Sequence, residues 1–186
     1  VLELGCGRQK RHPEAIGIDA LDYDGVDIVG DVFDILQQVP DQTVHAVYSY
    51  HFFEHIDDLA ELMQELARVL IPGGTLTVVV PHFSNPYFYS DYTHKTTFGL
   101  YSFSYFAQED LFARKVPTYD QQPAFNLQNV QLVFKSPVPF YFRYGIKRLF
   151  HYLFNINRYM QEFYEENLCY WIPCYEIRYE LQRSAD

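Results

Sequence analysis

The residues best suited to bind a small polar ligand lie at the very start of the chain. Glu3, Gly5, Cys6 and Gly7 form a Glu-x-Gly-x-Gly segment within a short apolar run. Glycine lets the backbone turn sharply or lie close against a ligand, and a carboxylate can accept hydrogen bonds from hydroxyl groups. Because Asp19 ends the next apolar run, the pattern predicts a pocket for a ribose-bearing cofactor at the ends of two strands.

A dinucleotide site is the main alternative for a glycine loop after a first strand. Its fingerprint is Gly-x-Gly-x-x-Gly, with a helix N-terminus facing the pyrophosphate and an acid about 20 residues on. Here Lys10 takes the third glycine position, Asp19 comes too early, and Pro13 leaves almost no room for a helix. Without that helix there is no set of free N–H groups for a pyrophosphate. The dinucleotide interpretation therefore fails on geometry.

A possible metal motif follows further along the chain. The segment His51-Phe52-Phe53-Glu54-His55 matches His-x-x-Glu-His, a zinc-peptidase pattern that belongs inside a long helix. Here it stands between a predicted strand and a predicted helix. We therefore expect no metal, and we expect His55 to be a packed structural residue.

Two segments of the chain resemble motifs of a known enzyme family. With Asp19, the run Val1-Leu2-Glu3-Leu4-Gly5-Cys6-Gly7 resembles the first motif of the class I S-adenosylmethionine-dependent methyltransferases, and Arg68-Val69-Leu70-x-Pro72-Gly73-Gly74 also matches that family. The resemblance covers most of the chain but is specific only in its first half. Gln9 stands where a third glycine is frequent, and the linking helices are short; neither departure removes a necessary cofactor contact.

The resemblance implies S-adenosylmethionine as the cofactor and S-adenosylhomocysteine as the product. Asp19 would accept hydrogen bonds from both ribose hydroxyls, Asp31 would accept one from the adenine amino group, and the backbone of Val32 would meet a ring nitrogen. A plain capping role is the alternative for Asp31, and Asp34 competes with it. The implied cofactor-binding residues are Glu3, Gly5, Cys6, Gly7, Asp19, Ala20, Asp31, Val32, Ser49 and Tyr50.

Histidines after the fifth predicted strand are the candidate proton acceptors. The segment Asp91-Tyr92-Thr93-His94-Lys95 is similar to one in many small bacterial methyltransferases, and an imidazole near a carboxylate can accept a proton during methyl transfer. We predict His94 or His82, together with Asp91, in this role; the equal alternative is that His94 only holds the covering segment in place. His51 is not expected to act as the base, because an imidazolium is unfavourable beside a positive sulfur.

Aromatic residues of the same segment predict a pocket for a small, partly apolar acceptor that is methylated on oxygen or nitrogen. The predicted substrate contacts are His51, Phe83, Tyr87 and Tyr89, and the further pocket walls are Phe88, Tyr92, Phe98 and Tyr101. The alternative is a non-catalytic module of degenerate methyltransferase fold that holds the cofactor or a partner. Exposed aromatic residues would suit such an interface, including that of a homodimer.

A nucleic-acid substrate is not expected. The segment Asn85-Pro86-Tyr87-Phe88 is similar to the Asn-Pro-Pro-Tyr loop of DNA amino methyltransferases, but it lacks the second proline and follows a different strand. The formal net charge of −10 also opposes tight binding to a phosphate backbone.

The elements that must position these residues alternate along the chain. Four short strands fit before residue 50, including one over 26–32, so the helices that would follow the first two strands must be vestigial or absent. Apolar spacing from Asp57 predicts a helix that Pro72-Gly73-Gly74 ends, and Thr75–Val80 predicts a buried strand. We expect an α/β, Rossmann-like, mostly parallel seven-stranded sheet with an antiparallel last strand and an aromatic and helical cap.

Length and composition indicate one domain. The 186 residues are predicted to form a single methyltransferase domain with a cofactor-binding half (1–81) and substrate-covering insertions (82–123 and 138–172). No apolar run approaches the length of a membrane span, and three unpaired cysteines favour free thiols in a reducing compartment. We therefore expect a cytoplasmic protein without a membrane partner. The chain opens inside a strand without Met, which predicts a truncated N-terminus.

Overall fold

The computed structural model describes residues 1–108, 110–117, 123–136 and 138–185. The strands in these ranges are β1 (Leu2–Leu4), β2 (Ile16–Asp19), β3 (Ile28–Val29), β4 (Val44–Tyr50), β5 (Leu70–Pro81), β6 (Ala107–Gln108), β7 (Phe125–Val133) and β8 (Glu176–Arg183). The α-helices are α1 (Val32–Leu36), α2 (Leu59–Val69), α3 (Tyr141–Phe154) and α4 (Arg158–Asn167). Short 3-10 turns join several of these elements.

The described strands form one sheet in the order β3-β2-β1-β4-β5-β8-β7-β6. The first five strands in this order are parallel, and β8 lies antiparallel between β5 and β7. The expected mostly parallel sheet with an antiparallel last strand is therefore confirmed. The predicted number of seven strands is wrong by one, because Ala107–Gln108 in the covering segment forms a short parallel pair with β7.

The first half of the chain is as short as the sequence indicates. Loops alone connect β1 to β2 and β2 to β3, and the first helix after them has five residues. The strand predicted over 26–32 is reduced to Ile28–Val29, because the side chain of Asp31 accepts a hydrogen bond from Phe33 N and starts α1 there. The carboxyl ends of β1 and β2 consequently carry only loops, whereas β4 is followed by a single 3-10 turn, Phe53–His55.

Helix α2 covers one face of the sheet. Its apolar residues Leu62, Met63 and Leu66 recur at helical spacing and are buried, and Asp58 caps its first turn by accepting from Glu61 N. A cap of this kind stabilises a helix by about 1 kcal/mol. The helix ends at Val69, and β5 follows without a break; the strand therefore already includes the Pro-Gly-Gly segment that was expected to separate the two elements.

The second half of the chain provides the cap. The covering insertion predicted over 138–172 contains two helices, α3 and α4, because Asn157 accepts from Met160 N and begins a new helix. Within the covering segment 82–123, residues 109 and 118–122 lie outside the described residues. The prediction of a covering segment is therefore compared with the structure over the remaining residues only. In this segment, Phe98 and Phe103 are buried in the main core, where Phe103 packs on Tyr179 of β8.

Candidate active site

The glycine loop after β1 forms the open end of the site. Gly5 and Gly7 both have left-handed backbones, with φ of 64° and 61°, a conformation that other residues adopt at a cost. A Cβ on Gly5 would lie 2.5 Å from the Cβ of Phe52, whereas a Cβ on Gly7 would meet no atom within 4 Å. Gly5 is therefore required by packing, and Gly7 faces space that a ligand can use.

Asp19, at the end of β2, points its carboxylate at the same loop. Its Oδ2 accepts from Gly7 N at 2.8 Å and its Oδ1 accepts from Leu21 N at 2.9 Å. Each oxygen of an ionised carboxylate can accept two hydrogen bonds, so each keeps one acceptor position. The strand–glycine–acid spacing thus produces a fixed, half-buried carboxylate with free acceptor capacity beside Gly7.

Glu3 acts on the loop that takes the place of a first helix. Its side chain is buried, and its two carboxylate oxygens accept from Arg11 N at 2.9 Å and His12 N at 2.8 Å. The ring of His12 stacks on Tyr48 at 3.6 Å, and its Nε2 lies 3.0 Å from the Tyr50 hydroxyl. Glu3 therefore fixes the loop from a buried position, and the Tyr50 hydroxyl already has a partner.

The other predicted cofactor residues lie around this edge in different environments. The Cys6 thiol is buried, and burial together with nearby carboxylates raises its pKa. Ala20 is exposed directly after β2, and Ser49 is fully buried on β4. Asp31 is exposed, and its Oδ1 accepts from Phe33 N at 2.8 Å. Asp31 therefore caps α1, as the alternative interpretation expected, while its Oδ2 takes no part in that hydrogen bond. Val32 is buried in α1.

His51 occupies the end of β4 in an unusual conformation, with φ of 56°. Its Nδ1 lies 3.3 Å from Glu54 Oε1, and its Nε2 lies 3.3 Å from Glu176 Oε2. Burial by itself would lower the pKa of His51, but the neighbouring carboxylates of Glu176 and Glu54 raise it to about 9. The imidazole is therefore protonated at neutral pH, and the two carboxylates compensate for its charge.

Glu176 is the site residue that sequence reasoning missed. It begins β8, is buried, and pairs with Lys135 as well as with His51. The antiparallel direction of β8 brings this N-terminal residue to the edge where the parallel strands end. The sequence signal for Glu176 is a carboxylate at a buried position of an alternating strand pattern. This signal is weak, because the pattern does not indicate which residue pairs with the carboxylate.

The predicted catalytic residues fall into two separate clusters. His82 is fully buried; its Nδ1 accepts from Ser84 N at 3.1 Å, and its Nε2 lies 3.1 Å from Glu165 Oε2. In this arrangement His82 has no nitrogen left for an acceptor's proton, because both are bonded to protein groups.

The second cluster contains the predicted pair. Nε2 of His94 lies 3.6 Å from Asp91 Oδ2, and its Nδ1 lies 2.9 Å from the carbonyl oxygen of Phe88. The structure therefore brings His94 and Asp91 together as expected. The His94 side chain is only 10% exposed, and its ring packs against those of Phe88 and His55.

A cavity of about 340 Å³ lies beside Glu176, where α3 faces the start of the covering segment. Its lining combines cationic and aromatic side chains: Lys135, Arg143, Lys147, Tyr87, Phe150, Trp171 and Tyr175. Of the aromatic residues predicted to wall the substrate pocket, Tyr87 lines this cavity. Phe88 and Phe98 are instead buried, and Phe83 packs on the core. Tyr89 and Tyr92 are exposed. The hydroxyl group of Tyr101 donates a hydrogen bond to Glu162.

Comparison with known proteins agrees with this architecture. A family model described as "Methyltransferase domain" matches residues 8–78. None of the curated proteins matches the chain. Among solved structures, a SAM-dependent methyltransferase from Archaeoglobus fulgidus is 16% identical with a TM-score of 0.59, covering 98% of this chain and 85% of the other.

Two further structures show the same likeness. A putative methyltransferase from Bacillus halodurans is 15% identical with a TM-score of 0.56, covering 100% of this chain and 92% of its own. Phosphoethanolamine N-methyltransferase 2 from Haemonchus contortus, in complex with phosphomonomethylethanolamine and S-adenosylhomocysteine, is 14% identical with a TM-score of 0.57, covering 100% of this chain and 48% of its own.

These findings define the fold of the protein. Identities of this size establish the fold alone, which is the Rossmann-like fold of class I methyltransferases, and residues 8–78 match the methyltransferase-domain model. The resemblance indicated by the glycine segment and Asp19 is therefore confirmed. No helix in the described ranges combines the length and apolar character that a membrane span requires.

Proposed function

We propose that this chain is an S-adenosylmethionine-dependent methyltransferase that acts on oxygen or nitrogen of a small acceptor and releases S-adenosylhomocysteine. The observation that carries the proposal is the Asp19 carboxylate, which is held by Gly7 N and keeps free acceptor positions for ribose hydroxyls. The open space at Gly7 supports the same role. The solved relative that contains S-adenosylhomocysteine supports the choice of cofactor.

The parts of the proposed site lie along one edge of the sheet, in the order of the strands that carry them. The glycine loop ends β1, His51 ends the adjacent β4, and Glu176 stands at the start of β8 beyond β5. The proposed acceptor site is the cavity lined by Lys135, which pairs with Glu176. Two carboxylates, Glu54 and Glu176, flank the cationic His51; with Lys135 included the cluster is formally neutral, so it presents no net positive charge to a sulfonium group nearby.

The cavity lining indicates the chemistry of the acceptor. Lys147 is largely buried there and donates to the carbonyl oxygen of Pro173, and burial lowers the pKa of its ammonium group. Arg143 and Lys135 add positive charge, and Trp171 adds an aromatic face. We infer an aromatic or apolar acceptor with an acidic group, because a buried cation is stabilised by an anionic partner.

The chemical step then depends on positioning. The cofactor, held at Gly7 and Asp19, would supply an electrophilic methyl group, and the cavity would hold the acceptor in line with it. Holding two reactants in line accounts for a large part of a barrier of this kind. An acceptor oxygen that is already ionised needs no base, which fits a cavity whose lining does not include His82 or His94.

The binding-module alternative rests on a specific surface. Large apolar side chains around the start of α3 and before β8 are exposed, including Tyr141 at 71%, Phe142 at 86% and Trp171 at 86%. Such a patch is characteristic of an interface with another protein or a second copy of the chain. A homodimer therefore belongs to this alternative.

A labelled-methyl screen separates the two functions. The folded protein is incubated with methyl-labelled cofactor and a panel of small phenols, carboxylic acids, amines and sugars. We expect transfer to an acidic aromatic acceptor, with Lys147→Met raising KM and Glu166→Gln, an exposed residue outside the cavity, serving as the control. Cofactor binding without any transfer, combined with a dimer that covers Phe142, would instead establish the binding module.

A further inference from the structure

We propose that Glu54, His55 and His94 form a binding site for a divalent metal ion. Each residue offers one ligand atom, and the three atoms lie within 4.8 Å of one another. Two imidazoles and one carboxylate are a common ligand set for first-row transition metals. The site is separate from the proposed cofactor contacts at Gly7 and Asp19, and its existence does not depend on the proposed methyl transfer.

The carboxylate of Glu54 supplies independent evidence for a missing ligand. Its side chain is 1% exposed, and within the described ranges neither of its oxygens has a hydrogen-bond partner. Nδ1 of His51 lies 3.3 Å from Oε1, at ion-pair distance, but does not complete a hydrogen bond with it. A buried carboxylate without hydrogen bonds is costly, whereas a metal ion that it ligates would supply the missing contacts.

The histidines are held in the tautomers that metal binding requires. Nδ1 of His94 donates to the carbonyl oxygen of Phe88 at 2.9 Å. Nδ1 of His55 lies 3.0 Å from Thr93 Oγ1, whose own proton goes to Asp91 Oδ1 at 2.6 Å, so Nδ1 of His55 is the donor. Both protons therefore lie on Nδ1, which leaves Nε2 of each ring unprotonated; Nε2 of His94 lies 3.6 Å from Asp91 Oδ2, beyond hydrogen-bond distance. Metal-binding histidines in proteins characteristically donate their other N–H in this way.

Backbone hydrogen bonds bring the two segments together before any ion binds. The amides of Lys95 and Thr96 donate to the carbonyl oxygen of Glu54 at 2.7 and 3.1 Å, and Thr96 Oγ1 donates to Ile56 O at 2.8 Å. These contacts attach the His94 segment to the turn that carries Glu54. Preorganised ligands lose less conformational entropy on binding.

The ligand set also indicates the kind of ion. Imidazole nitrogen favours Zn²⁺, Fe²⁺ or Ni²⁺ over Mg²⁺, which prefers oxygen ligands and retains water. The arrangement is not that of a zinc peptidase, because residues Phe53–His55 form a single 3-10 turn rather than part of a long helix. Glu54 is a ligand in this proposal, and three protein ligands leave coordination positions open. The proposal departs from the expectation of no metal.

The test measures metal binding directly and does not use methyl transfer. Untagged protein is treated with a chelator, desalted and titrated with Zn²⁺ by calorimetry, and the bound metal is measured after gel filtration. Co²⁺ serves as a spectroscopic probe, because visible d–d bands report nitrogen and oxygen ligands. We expect one Zn²⁺ per chain, visible bands with Co²⁺, and much weaker binding of Mg²⁺.

Variants assign the ligands. His94→Asn keeps a donor for Phe88 O but removes Nε2, and Glu54→Gln has the same shape without the charge. Each is expected to weaken Zn²⁺ binding by about tenfold or more, while His45→Ala, at an exposed histidine on β4, leaves it unchanged. Circular dichroism checks that each variant is folded. If a variant unfolds, the titration of the wild-type protein with Zn²⁺ and Co²⁺ still tests the proposal. No stoichiometric Zn²⁺ or Co²⁺ binding by the wild type, or equal binding by folded His94→Asn and Glu54→Gln, would overturn the proposal.

Discussion

Alanine at the two glycines after β1 should have two different effects. Both residues have φ near +60°, and an L-residue in this conformation costs roughly 1–2 kcal/mol. Gly7→Ala is destabilised by this backbone strain alone, because its methyl group meets no atom within 4 Å. Gly5→Ala also forces its methyl group against Phe52 at 2.5 Å, which adds roughly 1–3 kcal/mol of overpacking.

These energies translate into separate melting temperatures. For a chain of this length, 1 kcal/mol corresponds to roughly 2–4 °C, so Gly7→Ala should lower Tm by roughly 2–8 °C and Gly5→Ala by roughly 4–20 °C. Because the new methyl group of Gly7→Ala stands where the cofactor would lie, it should also weaken S-adenosylhomocysteine binding by about tenfold, or ~1.4 kcal/mol. Differential scanning fluorimetry and calorimetry measure the two effects. Gly7→Ala protein that binds normally, or Gly5→Ala that is no less stable than Gly7→Ala, would refute the reasoning.

Three further predictions follow from other contacts. Glu3→Gln should lower the free energy of unfolding by roughly 1–3 kcal/mol, because its amide NH₂ would face one of the two backbone donors that Glu3 now accepts from; chemical denaturation measures this, and an unchanged midpoint would contradict it. Lys147→Met should raise KM for an acidic acceptor by about tenfold or more while cofactor Kd stays constant; parallel changes in both constants would contradict the assignment of the cavity. The pKa of Asp27 is lowered by its bonds to Lys10 and to Gly17 N, so its stabilising effect is present above the ordinary carboxyl pKa of about 4 and is lost as pH falls through the lowered value. The stability difference between wild type and Asp27→Asn should therefore be constant above about pH 5 and shrink as the pH falls below it, and a difference that grows on acidification would contradict the sign.

The cofactor half was predictable from the sequence because its signals are local. The glycines and Asp19 are fixed by strand ends and turn geometry within twenty residues, and the shortness of the linking segments follows from counting. The same local reasoning identified α2, whose apolar spacing is regular. Even here the end of one element was misjudged, because a capping role for Asp31 and a third strand ending at the same residue are both consistent with the pattern.

The covering half was less predictable because its contacts join distant parts of the chain. The burial of His82 follows from its bond to Glu165 on α4, and the state of His51 follows from Glu176 on β8. Composition marked the segment as aromatic but did not show which rings enter the core. Phe88 and Phe98 look like pocket residues in the sequence and are buried in the fold, since packing between distant segments decides their direction.

The central claim is that the Gly7 loop and Asp19 bind S-adenosylmethionine. Calorimetric titration of the folded protein with the cofactor and with S-adenosylhomocysteine tests it most directly, alongside Asp19→Ala and the matched control Asp24→Ala, at an exposed loop residue. We predict one binding site in the wild type and in Asp24→Ala, with affinity weakened about tenfold or more in Asp19→Ala, because two charge-assisted hydrogen bonds are lost. No binding by the intact wild type, or equal binding by folded Asp19→Ala, would contradict the claim.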